Sequence, residues 1–289
     1  MAQDMRPFYQ DVQAHYDLSN DFFALFLDPE MVYSCAYFQR DDMSLEEAQM
    51  AKIDLALGKC DLRPGMRLLD IGCGWGATVR RAAERYGVDA VGLTLSKAQL
   101  EVASRRTSDL SESAGQVEIR LQGWEEFEEP IDRIVSIGAF EHFRLERYDA
   151  FFQRFRSLLP DDGRMLLHTI VWHDLNSLEK RGIETTHDNV KFGKFIRKHI
   201  FPGGQLCTPG LIVEHAQRAG FDVLRKHSLQ LHYARTLDRW AENLSAKQTE
   251  AIKLTSDETY DIYMKYLTGC AAHFRSGHLD LMQFTLAVA

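Results

Sequence analysis

The sequence has no long apolar run and no excess of positive charge. None of its apolar stretches approaches the ~18 residues that a membrane-spanning helix needs. Its first residues, MAQDMRPFYQDVQAHYD, lack the apolar core of a signal peptide. A formal net charge of −8 argues against a nucleic-acid partner, because nucleic-acid binders present a cationic surface to the phosphates. We therefore expect a cytoplasmic protein with no integral membrane span, whose contacts with lipid or membrane surfaces are at most transient.

Paired cysteine motifs are also missing. The five cysteines are odd in number and irregularly spaced, and no CxxC pair occurs. That pattern predicts no metal site and no disulfide framework. The 289 residues, 45% of them hydrophobic, suffice for one large α/β domain or two small ones.

Short apolar runs alternate with helical patterns along the chain. This alternation predicts a doubly wound sheet, since strands that alternate with helices form right-handed crossovers. The first sixty residues are predicted to be helical, and Ser44 and Glu47 form the capping-box pattern of a helix start. The predicted strands lie, in order, in RPGMRLLDIGCG, VDAVGLTLS, QVEIRLQGW, IDRIVSIGAF, RMLLHTIV, AGFDVLRKHSLQLHYARTL and LMQFTLAVA.

The stretch LLDIGCGWG places three alternate glycines between the first strand and a helix. A strand, a glycine-rich turn and a helix make the nucleotide-binding corner of this fold class. Gly72, Gly74 and Gly76 let the backbone pass close to a ligand, and Asp70 at the strand end can accept from an amino group. The D-x-G-x-G-x-G spacing differs from that of NAD sites and favours S-adenosylmethionine, whose methionine part carries an ammonium. A tight turn without a ligand is the alternative.

The second strand ends without the acidic residue that a cofactor site of this class uses to hold the ribose hydroxyls. The sequence there is GLTLSKAQ, which leaves Thr94, Ser96 and Gln99 to make the polar contacts. This departure indicates a particular family.

Ten motifs along the chain are VQAHYDLSNDFFALFLDP, YSCAYF, EEAQMAKIDLAL, LLDIGCGWG, GLTLSKAQ, LQGWEEF, RIVSIGAFEHF, IFPGGQL, HYARTL and YMKYLTGC. Together they resemble the cyclopropane-fatty-acid and mycolic acid methyltransferases, most closely the mycolic acid cyclopropane synthases. The resemblance covers essentially the whole chain. It implies an α/β fold with a Rossmann-like, seven-stranded class I methyltransferase sheet, a helical N-terminal segment and a helical insertion.

We expect this fold to form a single methyltransferase domain over residues 1–289. In this division, residues 1–60 are a helical N-terminal cap and residues 61–171 the cofactor-binding half. Residues 172–204 are a helical insertion, and residues 205–289 complete the sheet.

The resemblance also implies which residues bind S-adenosylmethionine. Tyr33 and Ser34 are expected at its methionine end, and Trp124 and Glu125 at the adenine. The full set of expected cofactor-binding residues is Tyr33, Ser34, Asp70, Gly72, Gly74, Gly76, Thr94, Leu95, Ser96, Gln99, Trp124, Glu125, Ile137 and His142.

Five residues are implied to surround a bound bicarbonate ion, namely Cys35, Glu141, His168, Tyr233 and Cys270. Attack of an alkene on the sulfonium methyl gives a carbocation, which must lose a proton before a cyclopropane can close. The site must therefore be dry and must hold a base beside the methyl. Beside an anion, Glu141 is expected to be protonated or to share a proton, with a raised pKa. Alternatively, Cys270 is a small buried hydrophobe and His168 a core histidine.

A long unsaturated acyl chain, mycolic, meromycolic or fatty, is the expected substrate, and it needs an apolar tunnel. DFFALFL and NVKFGKFIRKHIF are predicted to supply its walls. In the second segment, Phe192, Phe195, Ile196 and Ile200 share one helical face. Three lysines gather on another face, at Lys191, Lys194 and Lys198. They predict docking of an acidic acyl carrier protein, with an ordinary solvated surface as the alternative.

Within the family that the chain resembles, SIGAFEHF fits the cyclopropanating members best, so a cyclopropane is the expected product. The same cation gives an alcohol with a branch methyl when water traps it, and the EHF motif is followed by Arg144 and Leu145 where cyclopropanating members usually have Gly-His. A methyltransferase acting on a small amine and a catalytically silent lipid carrier are two further alternatives. The first predicts a wet, acid-lined pocket, and the second predicts no methyl transfer.

Overall fold

The computed structural model describes residues 5–7, 19–111 and 114–289. Its strands are β1 Arg67–Ile71, β2 Asp89–Thr94, β3 Val117–Leu121, β4 Arg133–Ile137, β5 Arg164–Trp172, β6 Phe221–Ser228 and β7 Leu279–Val288. They form one sheet in the order β3-β2-β1-β4-β5-β7-β6. Strands β1 to β5 pair in parallel, and β7 runs antiparallel between β5 and β6. The predicted seven-stranded, Rossmann-like sheet is confirmed.

α-Helices connect β1 to β2, β2 to β3 and β4 to β5 as right-handed crossovers, whereas a short 3₁₀ turn lies between β3 and β4. The helices of the described residues are α1 Asn20–Ala24, α2 Leu45–Gly58, α3 Ala77–Tyr86, α4 Lys97–Thr107, α5 Tyr148–Leu158, α6 Leu175–Lys180, α7 His187–His199, α8 Pro209–Arg218, α9 Gln230–Ala246, α10 Gln248–Leu254 and α11 Asp257–Ser276. Short 3₁₀ turns occur at Trp124–Glu126, Phe140–His142 and Leu145–Arg147.

The start of α2 follows the predicted capping box. The Ser44 hydroxyl accepts from the Glu47 amide at 3.1 Å, and the Glu47 carboxylate accepts from the Ser44 amide at 2.8 Å. These bonds satisfy two amides of the first turn that have no partner inside the helix. Helix α2 is thereby fixed at the residue where the sequence places its start.

Two secondary-structure predictions are wrong in part. Residues 25–44 form turns and irregular backbone rather than helix, and residues 1–4 and 8–18 of the predicted N-terminal helices lie outside the described residues. The sixth predicted strand is too long, because β6 ends at Ser228 and the following segment, QLHYARTL, begins α9. The alternation of apolar and polar residues there fits both periods over a short window, and the helical packing of α9 on α11 prevails.

The predicted tunnel wall DFFALFL is instead part of the core. Phe22, Phe23 and Phe26 are fully buried. The Phe23 ring lies 5.3 Å from that of Tyr33 and 5.6 Å from that of Trp75. This aromatic cluster holds α1 against the segment that carries Tyr33 and Ser34, so it supports a binding surface without lining it.

Candidate active site

The glycine turn follows β1 with positive backbone φ angles at Gly72, Gly74 and Gly76. A Cβ atom added at Gly72 would lie 2.4 Å from Cβ of Ala139, so only glycine fits this approach of two loops. At Gly76 the added atom would lie 3.1 Å from Cβ of Ala103 on α4. The first glycine thus lets the turn approach the loop after β4, and the third lets two helices pack.

A pocket, here named the glycine-turn pocket, opens at the carboxyl ends of β1, β2 and β4, where open α/β sheets bind ligands. Two of the expected cofactor-binding residues, Gly76 and Ser96, do not line this pocket. The Ser96 hydroxyl instead caps α4 by accepting from the Gln99 amide at 3.3 Å. The expected cofactor residues that line it are Tyr33, Ser34, Asp70, Gly72, Gly74, Thr94, Leu95, Gln99, Trp124, Glu125, Ile137 and His142.

An unsatisfied carboxylate lies in this pocket. Asp70 is 1% exposed, and its Oδ1 has no hydrogen-bond partner among the described residues. Burial raises the pKa of Asp70 to about 7, although the charge of Lys52 opposes the shift. A buried acceptor without a donor costs free energy until a ligand supplies one. The amino group of S-adenosylmethionine is such a donor, so the pocket fits the methionine part of that cofactor.

Lys52 is a second charged residue of the pocket. Unlike Asp70, it was not among the residues expected from the sequence. Its side chain is fully buried, lines the pocket and donates to the Ser34 hydroxyl at 2.8 Å. Burial lowers its pKa to about 8. The available signal was a pair of polar residues, Gln49 and Lys52, one helical turn apart on the buried face of α2. Gln49 donates to the carbonyls of Val32 and Ser34 at 3.2 and 2.8 Å, so α2 holds the Tyr33–Ser34 segment in place.

The far end of the pocket carries a buried ion pair. The Arg147 guanidinium donates to the Glu125 carboxylate at 2.9 Å, and both side chains are at most 10% exposed. Desolvation raises the pKa of Glu125, and the charge of Arg147 opposes that shift. Near the end of β2, the Thr94 hydroxyl donates to Gln99 Oε1 at 2.7 Å. The sequence did not single out Arg147, which fixes the orientation of Glu125 at the wall.

A larger cavity of about 760 Å³, here named the apolar cavity, adjoins the glycine-turn pocket. Tyr33, Ser34, Gly138 and His142 line both. In the segment NVKFGKFIRKHIF, which was predicted to form a wall, Phe192 and Ile196 line this cavity, whereas Phe195 and Ile200 do not. Its other apolar lining residues include Ile170, Leu178, Phe201, Leu237, Phe274 and Leu281.

Four of the five expected catalytic residues line the apolar cavity and are here together named its polar end. They are Glu141, His168, Tyr233 and Cys270. Glu141 Oε1 accepts from the Ile170 amide at 2.7 Å, whereas Oε2 and His168 Nε2 have no hydrogen-bond partner among the described residues. Burial raises the pKa of Glu141 and lowers that of His168. A protonated carboxyl and a neutral imidazole can together hold a small oxyanion.

The fifth expected residue, Cys35, does not line either cavity. Its thiol is fully buried and donates to the Ala36 carbonyl at 3.1 Å. Burial raises the pKa of the thiol. The structure therefore brings four of the five expected catalytic residues to the cavity lining and leaves Cys35 outside it.

Comparison with known proteins decides the family. A family model for mycolic acid cyclopropane synthetase matches residues 3–284. The chain belongs to this family. It is 56% identical to cyclopropane mycolic acid synthase 3 of Mycobacterium tuberculosis over 286 residues, which are 99% of each chain.

Solved structures of the family agree with the fold. Cyclopropane synthase MmaA2 from Mycobacterium tuberculosis matches with a TM-score of 0.96 at 55% identity, over 99% of this chain and 100% of that chain. Mycolic acid cyclopropane synthase CmaA1 complexed with SAH and CTAB matches with a TM-score of 0.95 at 55% identity and the same coverage. The protein is thus an S-adenosylmethionine-dependent methyltransferase with the class I fold.

The backbone of Arg144, the residue after the EHF motif, has an unusual conformation. Arg144 has a φ of 61° and a ψ of 138°, a region that glycine adopts easily and other residues rarely do. Neither Arg144 nor Leu145 lines the glycine-turn pocket or the apolar cavity. Arg144 therefore holds a strained backbone conformation without contributing to the surface that faces a ligand.

The structure also bears on membrane association. Among the described residues, no helix combines the length and apolar character that crossing a bilayer would take.

Proposed function

We propose that this methyltransferase transfers a methyl group to the double bond of a long unsaturated acyl chain and forms a cyclopropane. The observation that carries the proposal is the pair of adjoining cavities, which share Tyr33, Ser34, Gly138 and His142. A cofactor in the glycine-turn pocket would direct its methyl group towards an apolar space of about 760 Å³. The structure of the relative CmaA1 complexed with both SAH and CTAB supports a family enzyme that accepts an apolar-tailed molecule as well as the cofactor product.

The residues of the glycine-turn pocket would hold S-adenosylmethionine by its two ends. Asp70 would accept from the amino group, and Lys52 would orient the Ser34 hydroxyl beside the same end. Glu125, fixed by Arg147, would accept at the adenine end beside Trp124. When bound, the cofactor supplies an electrophilic methyl group.

The apolar cavity would protect the reacting carbon atoms from water. Attack by the alkene leaves positive charge on the chain, and water would trap that charge as an alcohol. Phe192, Ile196 and Phe274 have only carbon atoms in their side chains, and the Tyr233 ring packs at a tilt against Phe274, with 4.7 Å between ring centroids. This lining favours ring closure over hydration.

A bicarbonate ion at the polar end would supply the base that removes a proton from the new methyl group. His168 and Tyr233 would donate to it, and Cys270 lines the same cavity. Glu141 would take part in its protonated form, because a charged carboxylate would repel the anion. The two unpartnered atoms, Glu141 Oε2 and His168 Nε2, support this assignment.

The substrate would arrive on an acidic acyl carrier protein. Lys191, Lys194 and Lys198 are exposed on α7, the helix whose opposite face borders the apolar cavity. Arg197 on the same helix lies at the cavity lining. This arrangement would place a carrier where its acyl chain can enter beside α7, and a localised cationic surface on a protein of charge −8 favours an acidic partner.

Mass analysis of the product tests this function. The enzyme is incubated with labelled S-adenosylmethionine and unsaturated acyl carrier protein, and the released lipid is analysed. A gain of one CH₂ with loss of the double bond supports the cyclopropane. Addition of water with the methyl supports the hydroxylated product, label in a small amine supports an amine methyltransferase, and no transfer despite cofactor binding supports a silent carrier. Omission of the enzyme is the control.

A further inference from the structure

His168 lines the apolar cavity, and its imidazole ring also contacts a row of polar side chains that crosses the sheet. His168 lies in β5 directly opposite Gln283 of β7, and Gln283 lies opposite His227 of β6. Adjacent strands thus place three polar side chains in one row across the sheet. Lys59, the C-cap residue directly after α2, completes the row.

The hydrogen bonds of this row lead from Lys59 through Gln283 to His168. Lys59 Nζ lies 2.5 Å from Gln283 Oε1 and 3.0 Å from His227 Nδ1. Gln283 Nε2 lies 3.1 Å from His168 Nδ1. Both His168 and Gln283 are 0% exposed, so water does not compete for these contacts.

Elementary donor chemistry fixes the orientation of each group. An ammonium has only donors, so the Gln283 oxygen must face Lys59, and the Gln283 NH₂ group must face His168. An amide NH₂ also has only donors, so His168 Nδ1 must carry a lone pair. Burial lowers the pKa of His168 and keeps the ring neutral, which places its single proton on Nε2. His168 lines the apolar cavity, and with Nδ1 paired to Gln283, Nε2 is the ring nitrogen that has no hydrogen-bond partner among the described residues.

We propose that Lys59 and Gln283 are positioning residues that lock His168 in its Nε2–H tautomer and so give the apolar cavity a fixed hydrogen-bond donor. Neither residue lines the cavity or the glycine-turn pocket, so both act through His168. The donor suits a small oxyanion better than a cation or a second donor. The identity of that oxyanion as bicarbonate rests on the proposed function, whereas the tautomer does not.

The alternative tautomer would make the site unsuitable for an anion. With the proton on Nδ1, the Nε2 lone pair would face the cavity and repel an oxyanion. Gln283→Glu is the substitution that should produce this state. Its carboxylate is acceptor-only, can pair with Lys59 and accepts from Nδ1–H, while the side-chain volume stays nearly the same.

Nitrogen-15 NMR of the full-length enzyme with labelled histidine tests the proposal, since the two tautomers give exchanged shifts for the two ring nitrogens. His168→Asn identifies the His168 signals by their loss. We expect Nε2–H in the wild type, Nδ1–H in Gln283→Glu, a mixture in Lys59→Met and the wild-type state in Lys59→Arg, which keeps the donor. Gln217→Glu, the same change at an exposed site on α8, should leave the spectrum unaltered.

A wild-type His168 with its proton on Nδ1 would overturn the proposal, and so would a tautomer that Gln283→Glu leaves unchanged. The wild-type spectrum decides the first point even if a variant does not fold. In carbonate-depleted buffer, we also expect Gln283→Glu to need at least tenfold more bicarbonate for half-maximal rate, with unchanged affinity for S-adenosylmethionine. A wild-type rate that ignores added bicarbonate would refute the proposed base, while the spectrum would still decide the tautomer.

Discussion

The ring of Phe192 packs directly against the backbone of Gly269, so that helices α7 and α11 meet at a residue without a side chain. A Cβ atom added to Gly269 would lie 2.2 Å from Cε2 of Phe192. The same ring stacks on His273, four residues further along α11, at 4.5 Å. Phe192 also lines the apolar cavity, so this contact sets the position of one of its walls.

Gly269→Ala should therefore reshape the apolar cavity. The methyl group must displace the Phe192 ring, and overpacking of this kind costs about 1–3 kcal/mol of stability. We expect a lower melting temperature and slower turnover of long acyl substrates, with unchanged affinity for S-adenosylmethionine by calorimetry. Gly58→Ala is the control, because its Cβ would meet nothing within 4 Å and should stabilise α2 by about 0.5–1 kcal/mol. Normal turnover in Gly269→Ala would mean that this wall does not contact the substrate.

Asp70→Asn should stabilise the cofactor-free protein while it weakens cofactor binding. Because the pKa of Asp70 is raised to about 7 from an ordinary 3.8, its ionised form is disfavoured in the fold. The destabilisation grows as pH rises from about 4 to 7, and the neutral amide should recover up to about 4 kcal/mol at pH 8.

Thermal unfolding and calorimetry at pH 6 and 8 measure both effects. Wild-type affinity for S-adenosylmethionine should fall as pH drops below 7, because protonated Asp70 no longer attracts the ammonium. Asp70→Asn should bind weakly at both pH values, and the exposed Asp222→Asn should behave as wild type. Tight, pH-independent binding to Asp70→Asn would exclude Asp70 as the ammonium acceptor.

Glu141→Gln should lower the rate of the chemical step. It should also remove the decline of kcat at alkaline pH that the ionisation of Glu141 causes. Burial raises the pKa of Glu141, so its protonated form persists above the usual carboxyl range and is lost as pH rises past the raised value. We expect kcat at saturating cofactor to decline on that alkaline side and to fall roughly a hundredfold or more in Glu141→Gln. The exposed Glu146→Gln is the control. A profile with no group titrating above the ordinary carboxyl range contradicts the role.

Charge reversal at Lys191, Lys194 and Lys198 should weaken use of carrier-bound substrate. Surface attraction of this kind is screened by salt, so the increase in KM should shrink as ionic strength rises. Turnover of a free acyl substrate should not change. Reversal of the exposed Lys226, Lys247 and Lys253 gives the same net charge at other sites and serves as the control. Equal KM values for the two triple variants would mean that the α7 lysines are an ordinary solvated surface.

Local patterns allowed much of the fold to be predicted. The capping box at Ser44, the strand before Asp70 and the turn at Gly72 each depend on residues within a few positions of one another. The period of the apolar residues then gives the element type. Such patterns cannot separate strand from helix in a short window, which is why the segment after Ser228 was assigned to the wrong class.

Contacts between distant residues account for what the sequence did not predict. Lys52 reaches Ser34 across 18 positions and Arg147 reaches Glu125 across 22, and both pairs form only when the chain is folded. Gln283 meets His168 across 115 positions through the antiparallel register of β7 on β5. A short stretch of sequence does not contain both members of such a pair. These supporting residues can therefore be identified only from the folded structure.

Arg144→Gly should stabilise the protein without changing its product. A non-glycine residue with φ near 61° stores about 1–3 kcal/mol of strain, and glycine relieves it at the cost of some extra freedom in the unfolded chain. We expect a net gain of about 1 kcal/mol in the free energy of unfolding by denaturant titration. Arg144→Ala keeps the strain and should not be stabilised. Because Arg144 lines neither cavity, the lipid product of Arg144→Gly should match the wild-type product by mass. A shift in the ratio of cyclopropane to alcohol would show instead that this residue controls access of water to the cation.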